Sequence, residues 1–431
     1  MNLTGSLTEL DALSVVEPRV RSQRCDDRYD SVMQGFAPRL SGREEKSYEM
    51  IFPQPPRILS WIVIYLGFAA TGVGMALPGS VLPALLANWS LADDQAGLLF
   101  FLGWLGSSLG ALLVHRSRVR SLGIGTFLAA AGAFGMAYSS RWSCFPCMAL
   151  YGLGLGMTMT STSLLQAGRN SNRRGAELNR LNLVWALGAC ICPTLAAHSL
   201  RIVSARMIFS ALGLFFVVIG VWVVAFERDA EVGLFAMKPL RPKWSLALWP
   251  VSLVIVIMLP TGIESSMGGW IAAYVQRTQH TIVTTVTAGS CFWVGLMLSR
   301  TFASTILLLR RSERLVLIQS LCTVVAGAVL LIASRVSLGI LPGVFLVGFG
   351  LGPVYPLFLA IALQYSENTA IFFVAGLGSA FFPWLTGIVS NSASSLRTGL
   401  VVPLSASILM LVLGLRLSRL SNKDHLVQQS T

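Results

Sequence analysis

An acid and a base stand in segments that are otherwise apolar. Glu264 lies in LWPVSLVIVIMLPTGIESSMGGWIAAYV, with long apolar runs on both sides. Of the 19 Asp and Glu residues, nine fall in the first 49 positions and nine more in loops, at span ends or in the C-terminal tail, which leaves Glu264 alone at depth. Away from the span ends, Arg300 is the one Lys or Arg inside a predicted span. An ionisable group in hydrocarbon is costly unless it is paired, neutralised or facing water, so both residues read as functional-site candidates. A carboxyl group keeps its proton when desolvated and gives it up beside water or a cation, the property needed to couple a proton to a change of orientation. At 1.5 Å per residue Glu264 lies roughly 16 Å and Arg300 roughly 24 Å from the outer ends of their spans. Three roles are open to Arg300: binding an anionic substrate, pairing with Glu264, or snorkelling to the inner surface.

The neighbours of Glu264 add to the pattern. Pro260, one helical turn earlier, donates no backbone hydrogen bond, and Gly268 and Gly269 follow one turn later. Together they predict a helix break flanking the carboxylate, where freed backbone groups meet a ligand. Trp270 and Tyr274 lie outward of it in the same span; Trp270 can stack on a sugar face or anchor at an interface. Asn182 and Trp185, with Thr158, Thr160 and Thr162, offer hydrogen bonds from the first half of the chain, and Tyr355 and Trp384 from the second; hydroxyl residues also serve helix packing. Gly103, Gly106 and Gly110 are read as close-packing positions. Cys144 and Cys147 form one C-x-x-C without a second ligand pair, and the four histidines have no ligand spacing, so no metal or cofactor is expected. No nucleophile–base constellation or phosphate loop is present, and an enzyme is not expected.

The elements that must position these residues are spans. Apolar residues make up 54% of the chain and charged residues 12%, and the mean hydropathy is +0.69. About 20 apolar residues cross a bilayer, and twelve such stretches fall roughly at 58–82, 95–115, 120–139, 143–166, 180–200, 207–226, 246–275, 284–309, 315–334, 337–363, 369–390 and 398–417. Continuous apolar runs without period-2 alternation select helices over a barrel. The net charge of +13 does not point to nucleic acid: with the N-terminus inside, 25 of the 32 Lys and Arg fall on the inner side and 6 on the outer, as the positive-inside rule requires. Both termini are therefore expected in the cytoplasm, with the chain in the inner or plasma membrane as a monomer.

The expected organisation is a disordered cytoplasmic segment at 1–56, a six-helix half at 57–226, a cytoplasmic loop at 227–245, a second half at 246–417 and a cytoplasmic tail at 418–431. Met50 opens MIFPQPPRILSW, which offers an alternative translation start. The halves repeat one another. Thr71-Gly72-Val73 matches Thr261-Gly262-Ile263, Gly79 matches Gly269, Trp104-Leu105-Gly106 matches Trp293-Val294-Gly295, Gly154-Leu155-Gly156 matches Gly350-Leu351-Gly352, and Leu187-Gly188 matches Leu377-Gly378, at offsets of 189 to 196. Halves related by an axis along the membrane normal bind substrate near the midplane and rock about it. At the same offset Glu264 stands where the first half has Gly74, so the carboxylate belongs to one half alone.

These features resemble the major facilitator superfamily: twelve spans, two halves, and a basic loop after span two, Gly110 to Arg120, in which His115 stands where the family has an acid. GIESSMGGWIAAY, FWVGLMLSR, GLGPVYP and GLGSAFFPWLTG further resemble the fucose–galactose–glucose/proton symporter branch. The resemblance implies an all-α membrane protein of twelve helices in two pseudo-symmetric halves. It also implies a secondary transporter of a small polar solute, a sugar or related organic molecule, coupled to protons. An exporter or uniporter of an amphiphilic solute and a non-transporting receptor are the alternatives.

Overall fold

A computed structural model describes residues 57–115, 117–169, 174–227, 251–279, 282–308, 313–365 and 370–429. The expected disordered segment 1–56 and nearly all of the loop 227–245 lie outside the described residues. The first half is α1 (Arg57–Ser80), α2 (Leu82–Trp89), α3 (Asp93–Leu112), α4 (Arg118–Tyr138), α5 (Cys144–Arg169), α6 (Arg174–Ser199) and α7 (Ala205–Phe226). The second is α8 (Val251–Gln279), α9 (Ile282–Leu308), α10 (Glu313–Ala333), α11 (Ser337–Tyr365), α12 (Ala370–Ser392), α13 (Leu396–Gly399) and α14 (Val401–Gln429).

Twelve of these helices have 20 residues or more, the length that hydrocarbon thickness demands. Among the described residues, ten stretches are also apolar enough by composition to cross a membrane. Two differences from the sequence expectation follow from local chemistry. Span one does not run straight on: Pro83 restarts the chain as the short helix α2, with the proline in its first turn where no donor is missed. At the other end α14 continues to Gln429, past the predicted span limit at 417.

Pairing of helices in one half is reproduced in the other. The first half packs α1 on α6, α3 on α5, α4 on α5 and α4 on α7; the second packs α8 on α12, α9 on α11, α10 on α11 and α10 on α14. These are the same contacts under the sequence repeat. Gly188 and Gly378, matched by that repeat, do matching work. A Cβ on Gly188 would lie 2.2 Å from the Ala69 carbonyl oxygen of α1, and one on Gly378 would lie 2.2 Å from the Met258 carbonyl oxygen of α8. Only glycine lets these backbones touch. The halves meet chiefly through α3 with α12, α6 with α9, and α1 with α8; under the repeat the first two map onto each other and the third onto itself. We call the end of the bundle where α1 begins the near end and its opposite the far end.

Candidate functional site

A cavity of about 350 Å³ lies between the halves. Its wall draws on α1, α3, α5 and α6 from the first half and on α8, α9, α11 and α12 from the second, the same four positions in each repeat. The lining residues follow helical spacing. On α3 they are Phe100, Gly103, Trp104, Ser107, Ser108 and Ala111; on α8 they are Thr261, Glu264, Ser265, Gly268 and Gly269. Steps of three and four place each set on one face of its helix.

Arg300 of α9 reaches Glu264 of α8: Nη2 donates to Oε2 at 3.2 Å. The Arg300 Nε–H points to the Gly352 carbonyl of α11 at 3.4 Å. The two side chains meet in this structure although the depth estimates differ by about 8 Å along the membrane normal. Both groups keep a view of the cavity, with side chains 30% and 18% exposed for Arg300 and Glu264.

Helix α8 is fastened to α12 beside the acid. Thr261 Oγ1 donates to the Ala375 carbonyl at 2.7 Å, and Ser265 Oγ to the Ser379 carbonyl at 2.9 Å. The two hydroxyls are one turn apart and flank Glu264. The helix itself runs unbroken through Pro260, Gly268 and Gly269, so the predicted break does not occur. Gly79 allows α1 to cross α8 here: a Cβ on Gly79 would sit 2.2 Å from the Gly268 carbonyl oxygen and 2.9 Å from the Gly269 Cα. The repeat partners Gly79 and Gly269 thus meet each other at the axis between the halves.

Of the residues singled out in the sequence, Glu264, Arg300, Trp185, Tyr355, Gly268 and Gly269 come together in this wall. Trp270 does not. It is 0% exposed, its indole N–H donates to the Pro383 carbonyl at 2.9 Å, and its ring lies edge-on to Phe100. Trp384 packs against Phe101 at the α3–α12 contact, and Asn182 is exposed on the outside of α6; neither lines the cavity. Of the α5 threonines only Thr160 lines it, while Thr158 and Thr162 are buried in packing. Sequence reading missed Tyr151, whose hydroxyl donates to the Gly74 carbonyl at 3.0 Å, and Trp293, which packs edge-on to Trp185 at 5.9 Å. The Gly, Ser and Thr face of α3 and α5, at steps of three and four, was the available signal.

At the far end α3 is clamped to α8 and α12. Asp93 of α3 takes both Arg277 guanidinium nitrogens of α8, at 2.7 and 2.8 Å, and the Ser390 hydroxyl of α12 at 2.5 Å. A second cavity of about 330 Å³ lies on that side, lined by Ser80, Pro83, Arg201 and Gln276, and shares Gly79, Gly268 and Trp293 with the first. Those three residues form the partition. At the near end Glu227 binds Arg169 of α5 at 2.5 Å and also accepts from Ser60 of α1. This ties α1 and α5 to the end of α7.

Two pseudo-symmetric helical halves around a charged central cavity define a class of multi-pass membrane proteins. The chain belongs to the Major Facilitator Superfamily, whose family model matches residues 64–375. Solved structures share the fold. A bacterial homologue of the human lysosomal transporter Spinster, inward-facing and occupied, has a TM-score of 0.65 at 11% identity, over 85% of this chain and 98% of that one. The nucleoside transporter NupG has 0.62 at 12%, over 82% and 96%. A D-xylose–proton symporter has 0.65 at 12%, over 84% and 97%. Among curated proteins, none matches by sequence.

Proposed function

We propose that the protein is a secondary transporter that carries a small polar organic solute by alternating access, with Glu264 as its proton-coupling group. The observation that carries this reading is the Glu264–Arg300 pair in the cavity wall. A carboxylate and a guanidinium joined by one 3.2 Å contact, with both side chains open to the cavity, form a link that a proton can undo. Protonation removes the charge that holds Arg300, and re-pairing on release returns the site to its starting state. The aromatic wall of Trp104, Trp185 and Trp293 supports a solute with a stackable face, in keeping with the sugar/proton symporter resemblance of the sequence. A likeness to a D-xylose–proton symporter supports the same class. We place both termini in the cytoplasm of an inner or plasma membrane, on the charge asymmetry of the loops.

Glu264→Gln in proteoliposomes tests the reading. The amide keeps shape and hydrogen bonding but does not titrate. The variant should exchange solute across the membrane and fail to concentrate it under a proton gradient. Gradient-driven accumulation equal to that of the unmodified protein refutes proton coupling at this residue.

A further inference from the structure

This inference rests on the proton-coupled reading and names the solute class that follows from it. In the described wall of the cavity, Glu264 and Arg300 are the only Asp, Glu, Lys, Arg or His, and they neutralise each other. The other titratable groups in the wall are Tyr355 of α11 and Tyr151 of α5, the latter engaged with the Gly74 carbonyl. Helices α1, α3, α6 and α12 contribute no charged or titratable side chain to it. A proton on Glu264 therefore leaves one guanidinium without a counter-charge in a largely apolar enclosure. Orphaning one member of a shielded ion pair is strongly unfavourable. A neutral solute does not relieve it, whereas an anion does.

We propose that the transported solute bears a single negative charge, a carboxylate on a compact ring-bearing or hydroxylated body, which replaces Glu264 as the partner of Arg300 when Glu264 takes the proton. The loaded cavity is then as neutral as the empty one. No covalent bond changes. A proton passes from water to the Glu264 carboxylate, and the solute carboxylate accepts the guanidinium N–H groups that Glu264 gives up.

The geometry around Arg300 suits this exchange. A guanidinium carries five N–H donors in a planar fork, of which two make contacts, at 3.2 and 3.4 Å, longer than the 2.7–2.9 Å usual for charge-assisted bonds. The remaining donors match a carboxylate edge. Trp185 of α6 adds an indole ring to the wall that meets the solute body. Trp104 and Trp293 supply flat apolar faces for the rest of it.

The test compares acids with neutral counterparts on the purified full-length protein: galacturonate with galactose, mandelate with mandelamide, and lactate with lactamide. The acid of at least one pair should raise the melting temperature at mildly acidic pH while its counterpart does not, and Arg300→Gln should weaken that acid's binding about 10- to 100-fold, the worth of a charged hydrogen-bonded contact. In proteoliposomes its proton-driven uptake should be indifferent to a valinomycin-imposed potential, because anion and proton cross with zero net charge. Stabilisation by neutral members alone, stabilisation by none, or acid binding unchanged in Arg300→Gln overturns the proposal. Potential-sensitive, proton-driven uptake of a neutral solute overturns it while leaving the transporter reading standing. Acid binding with uptake indifferent to the proton gradient overturns the coupling reading and supports the anion site.

Discussion

The Glu264–Arg300 pair should reveal itself in a double-mutant cycle. At 3.2 Å the bare attraction is about 5 kcal/mol at an effective dielectric near 20, and desolvation of both ions offsets most of it. Orphaning one partner of a fully buried pair costs about 3–5 kcal/mol. Here the side chains are 30% and 18% exposed, so water screens part of the loss, and about 2–3 kcal/mol is expected for Arg300→Gln. Glu264→Gln should cost less, about 1–2 kcal/mol, because Arg300 can swing its head toward water. The double variant carries two neutral amides and orphans no charge, so it should be no worse than the poorer single variant. The coupling energy, read from equilibrium denaturation of purified protein at neutral pH, is then at least about 1–2 kcal/mol, the cost of the milder single variant. Additive effects, with coupling under about 0.5 kcal/mol, would refute the claim that the pair is an energetic unit.

Asp93→Asn removes the bidentate hold on Arg277 and should open the far end; a cysteine placed at Ala272 in a cysteine-free background should then react faster with a membrane-impermeant thiol reagent, and an unchanged rate counts against the clamp. Gly79→Ala puts a methyl 2.2 Å from the Gly268 carbonyl oxygen and should prevent the same closure, measured by the same reagent. Trp185→Ala removes an indole from the cavity wall and should weaken solute binding about 3- to 10-fold, the worth of one aromatic contact. A reporter fused after Thr431 that works only outside the cytoplasm should stay silent; activity there breaks the topology.

Most of the helices could be read from hydropathy because lipid permits so few alternatives. Glu264 and Arg300 could be found because charge in an apolar run is conspicuous at any register. Trp270 was misplaced for the opposite reason: an indole suits a sugar face, an interface or a core equally. Only the Pro383 carbonyl waiting on α12 decides among them. Asn182 was read as facing inward because hydropathy locates a span but not the rotation of its helix. The helix break was inferred from Pro260, yet one missing donor does not end a helix whose other backbone hydrogen bonds remain, and α8 continues through the proline. Tyr151 and Trp293 are invisible alone; they become site residues only once α5 and α9 are turned toward the axis.

The asymmetry between the halves follows from a single position. Gly74 and Glu264 are repeat partners, and a Cβ on Gly74 would lie 2.7 Å from the Tyr151 hydroxyl. The space that a side chain would need on α1 is filled from α5 by a phenol that donates to the Gly74 carbonyl. A second carboxylate there would meet the first across the cavity with one guanidinium between them, leaving a net negative site. The first half therefore presents Trp104 and Trp185 and no charge, and the second presents the ions beside Trp293. Solute shape is read chiefly by one half and charge by the other, and a solute touching both ties the two halves together as they rock. Moving the acid tests this division: Gly74→Glu combined with Glu264→Gly should clash with Tyr151 and lose accumulation, whereas pure repeat symmetry, with no division of labour, predicts a working transporter.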